Sequence, residues 1–339
     1  MESIKEKEAV AEFFESNEAP AGLAEEQQRL DEFVRHNAGR KLALVTSGGT
    51  TVPLEKNTVR YIDNFSGGNR GACSAEYPLY PSFNSFHKYF LENGYAVIFL
   101  SRVHSLHPYS RYFLLQHKVN HQPYHFIDFL HLEDSSVSVV PEHQVEVASL
   151  VAKYQVAQKE RRLLVVHFVS IHQYLHLLRA CSLALAPIKE KGLIYSAAAV
   201  SDFYIPLSQM AEHKIQSSAH PDGLTLQLQS VPKMLRSVVA DWAPGCFVVS
   251  FKLETDETIL TRKATGALRN YGHQLVIGNL LSTYKDEVHL FTHNSPNLSD
   301  DGQKEEEAIT IKRVGKDIEA QLVPAVIALH EAHILTQQA

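Results

Sequence analysis

Residues 41–51 read KLALVTSGGTT. A near-continuous apolar run of strand length, closed by two glycines among three hydroxyls, is the pattern of a central parallel strand buried on both faces. Five more apolar runs of the same kind lie at 95–100, 162–169, 193–196, 246–253 and 274–278, each separated from the next by helical stretches. This βαβ alternation predicts an α/β fold, a Rossmann-like doubly wound and mostly parallel sheet with flanking helices. Residues 288–292 and 308–312 alternate like a finishing antiparallel pair, joined by the polar loop 294–307, and a last helix is expected over 316–335.

Each polar cluster of note falls just after a strand: 47–51, 197–202, 251–252 and 279. Ligands in such sheets bind outside the carboxyl ends of the strands, so the four clusters converge on one edge. The turn at 47–51 can form a nest of backbone N–H groups around an anion, with Gly48 and Gly49 at its centre. It is neither GxGxxG nor GxxxxGK[ST], so the dinucleotide and P-loop fingerprints are both missing. Residues 193–218, LIYSAAAVSDFYIPLSQMAEHKIQSS, run from a buried strand into three alanines, then to Asp202 and, a dozen residues on, to Lys214. Small residues at a strand end leave room for a ligand, and an acid with a distant lysine suits a phosphorylated one. The loop carrying Lys214, with Pro206 and polar flanks, is expected to be mobile until ligand binds. Residues 59–71, VRYIDNFSGGNRG, place Arg60, Asn64, Ser66 and Gly67 before a helix start, whose free N–H groups suit a phosphate or carboxylate.

Residues 1–40 read as an N-terminal helical segment that docks outside the chemistry, and 41–335 as one nucleotide-binding α/β domain. Two prolines in 78–89 interrupt a helix that would otherwise run from SAEY directly into FLENGYAV, which marks those residues as an inserted loop. Residues 102–145 carry seven histidines without a steady period and read as a variable segment. Residues 224–229, LTLQLQ, alternate like a half-exposed strand, and Val231-Pro232-Lys233 opens a helix to Asp241.

With 339 residues, 45% of them hydrophobic, and a net charge of −6, the chain has a large core and no global basic field, so nucleic acid is not an expected partner. Three cysteines without CxxC spacing argue against a disulfide framework and a cysteine zinc site. His172 and His176 stand at i, i+4 but lack the glutamate of HExxH, so no resident metal is expected. No apolar run approaches the roughly 20 residues of a membrane span, and MESIKEKEAV lacks the apolar core of a secretory signal. The expectation is a soluble, cytoplasmic protein. From the residues alone the reading ends at an anion-rich ligand, a nucleotide, bound at a parallel-sheet edge and facing Lys214.

At this point the motifs carry a resemblance. SGGT with VPLE (47–55), VRYIDNFSGG (59–68), RGACSAE (70–76), AAAVSDFY (197–204), EHKIQSS (212–218) and SFKLET (250–255) resemble, in order, those of the phosphopantothenate–cysteine ligases, the eukaryotic stand-alone form above all. The resemblance implies ligation of 4′-phosphopantothenate with L-cysteine through an acyl-adenylate, in coenzyme A biosynthesis. ATP is the implied co-substrate, CTP being that of bacterial members, with Mg²⁺ assisting. It further implies a homodimer, with the loop after Lys214 and the 224–229 segment reaching toward the partner through a small antiparallel extension.

By the same resemblance Lys214 and Asn64 are the catalytic residues. Gly48, Gly49, Ser196, Ala197, Ala198, Asp202, Pro232, Phe251 and Lys252 would line the nucleotide site, and Arg60, Asn64, Ser66, Gly67 and Ala199 the acyl substrate. The family's Asn-Phe-Ser-Ser-Gly stands here with Gly67 at its fourth position, and the bacterial KxKK is reduced to Lys214 alone. Two other readings stay open: a catalytically impaired nucleotide-binding homologue, and an NAD(P)-dependent oxidoreductase.

Overall fold

The computed structural model describes residues 2–76, 89–115, 118–119, 122–123, 126–219, 221–293, 308–315 and 317–338. Six parallel strands form the centre of the main sheet: β1 (Leu42–Ser47), β4 (Ala96–Arg102), β5 (Leu163–Phe168), β6 (Gly192–Ser196), β9 (Phe247–Glu254) and β10 (Leu275–Leu280). The intervening numbers belong to short strands off the main sheet, β2 (Thr51–Pro53), β3 (Tyr61–Asp63), β7 (Phe203–Tyr204) and β8 (Gln229–Ser230). Across the sheet the order is β5-β4-β1-β6-β9-β10, followed by the antiparallel β11 (Glu287–Thr292) and β12 (Ile309–Lys312). Numbered along the chain, the parallel strands therefore run 3-2-1-4-5-6, the doubly wound order whose direction of winding reverses between β1 and β6.

The strands are apolar throughout because each feeds two cores. Leu42, Leu44, Ile98, Ile194 and Val248 point to one face, where α1 (Glu2–Ser16), α2 (Leu23–His36) and α5 (Ile171–Leu185) pack. Ala43, Val45, Val97, Phe99, Tyr195 and Val249 point to the other, against α3 (Asn69–Ala75), α4 (Gln144–Lys159) and α7 (Glu319–Gln338). Period-two alternation within a fully buried strand is the signature of a sheet covered on both sides. Helix α5 starts at a capping box in which Ser170 accepts from the Gln173 amide and Gln173 accepts from the Ser170 amide. The helix after β9, α6 (Glu257–Tyr271), is capped by Asp256 and stops at Gly272, whose φ of 68° is the left-handed ending.

The N-terminal helices close the first core. Phe13 is buried and its ring lies 6.2 Å from that of His172 at an interplanar angle of 13°. His176 Nε2 donates to the Asn17 carbonyl over 3.0 Å, so the i, i+4 histidine pair packs and caps this junction.

Residues 224–228 form no strand, which corrects the expectation of one over 224–229; only Gln229–Ser230 pairs, with Phe203–Tyr204. Alternation makes a strand only where a neighbour offers a ladder, and among the described residues two residues of β7 are all that is offered. The helix expected from Val231 begins at Met234 and widens from Val238 into a π-turn ending at Trp242. Of the inserted loop expected over 78–89, residues 78–88 lie outside the described residues, as do Tyr77, the 294–307 loop, Lys316 and parts of the 102–145 segment, while Tyr89 is described and buried. On either side of 77–88, Phe90 N donates to Ser74 O over 3.1 Å and Leu91 N to Ala75 O over 3.3 Å. With twelve residues removed, these are the i→i−4 bonds of a continuing α-helix.

Deleting residues 77–88 should therefore leave a folded protein, since Tyr89 then follows Glu76 and the two bonds become helical. The closure entropy of a twelve-residue loop, about 2 kcal/mol, is removed with it. Thermal denaturation of the deletion variant should give a midpoint no lower than that of the full chain.

Acid should act through three buried histidines. His172, His273 and His330 are each pushed down to about 4, first by burial. For His330 the tautomer is set: the Glu190 carbonyl, 2.8 Å from Nε2, can only accept, so Nδ1 accepts from Tyr95 Oη at 2.7 Å. Unfolded histidines protonate near 6.5, so this stabilisation is complete above that pH and is lost as pH falls toward 4, about 3 kcal/mol for each histidine. The melting temperature should fall by several degrees between pH 7 and pH 5; an unchanged midpoint would contradict neutral burial.

Candidate active site at the winding reversal

Beyond the sheet edge the chains leaving β1 and β6 do not diverge. Ala199 N donates to Gly48 O (2.8 Å) and Thr50 N to Ala199 O (3.0 Å), which makes a parallel bridge between Gly49 and Ala199. Two threonine hydroxyls complete the joint: Thr46 Oγ1 accepts from Ala198 N and Thr50 Oγ1 from Ser201 N, each at 3.0 Å. The floor of the crevice is thus a hydrogen-bonded platform. Ser196, Ala197, Ala198 and Ala199 lie on it, all part-exposed.

From this platform the hairpin β2–β3 rises, and Asn64 follows it. Asn64 N donates to Thr50 O over 3.1 Å, which lays the Asn64 backbone across Gly49. A Cβ on Gly49 would collide with the Asn64 carbonyl, and one on Gly48 would meet Ser105 Oγ and Arg102 Cβ while φ stands at 86°. The glycines of this turn are required by the close approach of protein to protein. Ser47 Oγ donates to Gly68 O (3.0 Å), and Gly68 N to Ser66 Oγ (3.4 Å), so the Ser-Gly-Gly turn is folded back onto the end of β1. Gly67 differs from these: it is exposed and a Cβ there would meet nothing within 4 Å.

The loop bearing Lys214 is held along most of its length. Lys56 N donates to Ala211 O (2.9 Å) and Asn57 N to Glu212 O (3.1 Å). Arg60 Nη2 donates to Ile215 O (2.8 Å), while Ile215 N donates to Glu55 Oε1 (3.4 Å). Arg60 itself pairs with the buried Glu55 carboxylate at 2.5 Å, through Nη2. The loop expected to be mobile is stapled at 211–215 to residues 55–60. Lys214 is exposed, and among the described residues its ammonium has no ion-pair partner.

Across the platform, Asp202 is exposed and lies 3.5 Å from Lys233 Nζ, while Val231 N donates to its carbonyl. Lys252, at the end of β9, is partly buried, and that burial lowers its pKa; Lys233 lowers it further, and Asp202 and Glu254 pull it back. Phe251 stands edge-on to Tyr195 with centroids 5.0 Å apart. Pro232 is half-buried between Val231 and Lys233, two residues short of the helix it was expected to open. At the end of β10, Asn279 is buried, and its Oδ1 has no hydrogen-bond partner among the described residues. An unpaired buried amide oxygen beside an open crevice is an acceptor waiting for a donor.

The platform thus links Asn64 through Thr50 to Ala199 and Ser201, and the adjoining Asp202 pairs with Lys233 and acts electrostatically on Lys252. Lys214 joins them only through the backbone of its neighbour. Residue patterns mark Thr50 only as part of the polar turn 47–51 and do not single out Thr46, Lys233 or the carboxylate of Glu55. Each acts on a segment remote in the chain, a contact that no local pattern encodes.

One group of metal-capable side chains comes together among the described residues, Cys73, Asp317 and Glu319. It does not fit a divalent cation: Asp317 accepts from Arg111 (3.2 Å) and Glu319 from Arg70 (2.8 Å). Burial also pushes the Cys73 thiol up, away from the thiolate a metal needs.

A family model described as "DNA/pantothenate metabolism flavoprotein C-terminal domain" matches residues 145–326. The chain is similar to phosphopantothenate–cysteine ligase 2 of Oryza sativa subsp. japonica, at 43% identity over 316 residues, covering 90% of this chain and 87% of the relative. It is similar to the Homo sapiens phosphopantothenate–cysteine ligase at 38% identity over 339 residues, covering 98% and 99%. Among solved structures, a Cab2 mutant in complex with phosphopantothenate-cysteine superposes with a TM-score of 0.81 at 38% identity, covering 97% of this chain and 99% of the other.

The glycines of the site should separate in a stability assay. Gly49→Ala must displace the Asn64 backbone and should cost at least about 2 kcal/mol. Gly67→Ser meets open space and removes unfolded-state freedom, so it should be neutral or stabilising by about 0.5 kcal/mol. Paired urea titrations of the two variants against the parent give the comparison directly.

Proposed function

This chain belongs to the phosphopantothenate–cysteine ligases, and from that premise we propose that the winding-reversal platform is where its amide bond is made. The enzyme joins phosphopantothenate to cysteine, a step of coenzyme A biosynthesis. ATP is the co-substrate we assign to it, and an acyl-adenylate the intermediate. A carboxylate oxygen of phosphopantothenate attacks the α-phosphorus and pyrophosphate leaves. The cysteine amine then attacks the acyl carbon, loses a proton, and AMP leaves. A Mg²⁺ ion, where bound, would be held by the nucleotide phosphates and would offset their charge during the transfer.

The observation that carries this reading is the bonding of Thr50, which ties the strand leading to Asn64 to the alanine loop after β6. It supports a division of the crevice, with the acyl substrate along Asn64, Ser66, Gly67, Ala199 and Arg60. The nucleotide lies over Ser196–Ala198, between Gly48–Gly49 on one side and Asp202, Pro232, Phe251 and Lys252 on the other. Adenylation brings two anions together, and a fixed cation aimed at the charge that develops offsets this. Lys214 takes that role, as the exposed ammonium on a stapled loop. Asn64, which can donate and accept, orients the reacting carboxylate.

A second copy of the chain is the partner we assign. Tyr61, Ile62, Phe65 and Phe203 expose 51, 40, 87 and 51% of their surface around the hairpins β2–β3 and β7–β8, which favours a covered face there. Three buried, unpaired cysteines suit a reducing compartment such as the cytoplasm, and no helix among the described residues is long and apolar enough to cross a membrane.

The test supplies ATP or CTP, Mg²⁺, phosphopantothenate and cysteine to the parent and to Lys214→Ala. The parent should release pyrophosphate from ATP only when phosphopantothenate is present. The variant should lose about 10²–10³ in kcat, the magnitude of one electrostatic donor. A Lys214→Ala enzyme as active as the parent would remove the lysine from the mechanism.

A further inference from the structure

Glu55, next to Leu54 at the margin of the first core, has a side chain fully withdrawn from solvent. Its carboxylate is enclosed by donors alone. Oε2 accepts from the amides of Val59 (3.3 Å) and Arg60 (3.1 Å), and Oε1 from Arg60 Nε (3.0 Å), Arg60 Nη2 (2.5 Å) and the Ile215 amide (3.4 Å). Burial would raise its pKa, but these hydrogen bonds outweigh burial and hold it below the ordinary glutamate value. The residue is therefore a buried anion at working pH, with five donors from two chain segments 160 positions apart.

Both segments lead to the chemistry. One end of the 55–60 segment continues through β3 to Asn64, whose amide is fixed on Thr50. Its other partner is Ile215, the neighbour of Lys214, gripped at its N–H by Glu55 and at its carbonyl by Arg60. Upstream of Lys214, Glu55 forms a bridge with Ala211, and Asn57 N holds the Glu212 carbonyl. Among the described residues the lysine ammonium has no ion-pair partner, so its reach is set by the backbone that these contacts fix.

We propose that Glu55 is a positioning residue of the ligase: its carboxylate, with Arg60, fixes the 211–215 backbone so that Lys214 and Asn64 face one substrate. This rests on the assignment of Lys214 and Asn64 above. Only an acceptor on both sides satisfies the donors present; the amide of a glutamine would turn an NH₂ toward N–H groups. Glu55→Gln thus keeps the volume and breaks the clamp.

The experiment combines amide hydrogen exchange on the unliganded protein with steady-state kinetics for Glu55→Gln, Lys214→Ala and the double variant. In Glu55→Gln, exchange over 211–216 should speed by tenfold or more while the β-strands of the main sheet stay protected. Its kcat should fall by about 10- to 100-fold, the scale of a misplaced catalytic group, with the KM for nucleotide within about threefold of the parent. The double variant should be no slower than Lys214→Ala alone, because Glu55 acts through that lysine. Unchanged exchange over 211–216, or additive losses in the double variant, overturns the proposal. Should Glu55→Gln fail to fold, Arg60→Lys keeps the charge and drops the bond to the Ile215 carbonyl. The same exchange measurement then decides: faster exchange over 211–216 supports the clamp, and unchanged exchange overturns it. A fully active Lys214→Ala overturns the role of that lysine. An inactive Lys214→Ala with unchanged exchange in Glu55→Gln overturns the positioning role alone.

Discussion

The joint between Gly48–Thr50 and Ala198–Ser201 sets where everything else in the site can stand. In a doubly wound sheet the loops after the two strands at the reversal lead to opposite faces, and the crevice between them is ordinarily open. Here four hydrogen bonds close its floor: two backbone bonds through Ala199 and two to the hydroxyls of Thr46 and Thr50. A closed floor keeps the ligand above the edge, so the groups that act on it must come from above and from the sides. The β2–β3 hairpin, the Glu55 clamp and the Lys214 loop form one wall. The ends of β9 and β10, with Lys252 and Asn279, form the other.

Glycine has a second purpose in this arrangement besides the one its pattern suggests. The turn SGGT has the composition of a nest for an anion. The structure adds a nearer reason for its glycines: the Asn64 backbone occupies the space above Gly49, and Ser105 the space beside Gly48. The two demands are compatible, since a turn compressed by protein on one side can still present amides on the other. The exposed and unhindered Gly67 is under neither demand, which accounts for its being free to depart from the family's serine.

The sheet is legible in the sequence because a parallel strand covered on both faces must be apolar along its whole length, and six such runs separated by helices admit few arrangements. All six strands fall within two residues of their expected ends. The segment 224–229 misleads because alternation describes a face and not a partner; Leu228 does pack on the core, yet residues 224–228 have no strand to pair with among the described residues. Lys214 and Asn64 stand out through motifs, as do the alanines after β6. Glu55 does not, although it lies within one of those motifs. Its importance depends on Ile215, and nothing in VPLE shows that a carboxylate there will be buried among donors from a loop so remote in the chain.

Charge makes the final link between fold and chemistry. The protein carries a net charge of −6, which on its own would repel an anionic substrate such as phosphopantothenate. At the carboxyl edge the balance is local and opposite. Lys214, Lys233 and Lys252 stand in the crevice region, and of the nearby carboxylates Glu254 is already paired with Lys263 while Asp202 is 77% exposed. Partial burial and the neighbouring Lys233 lower the pKa of Lys252, so its charged form lacks full compensation. A polyphosphate entering there would relieve that deficit, while the Glu55–Arg60 pair, neutral as a unit, would neither attract nor repel it. The hydrogen bonds that fix the backbone beside Lys214 thus also take one carboxylate out of the local field, and among the described residues the exposed ammonium of Lys214 keeps no ion-pair partner.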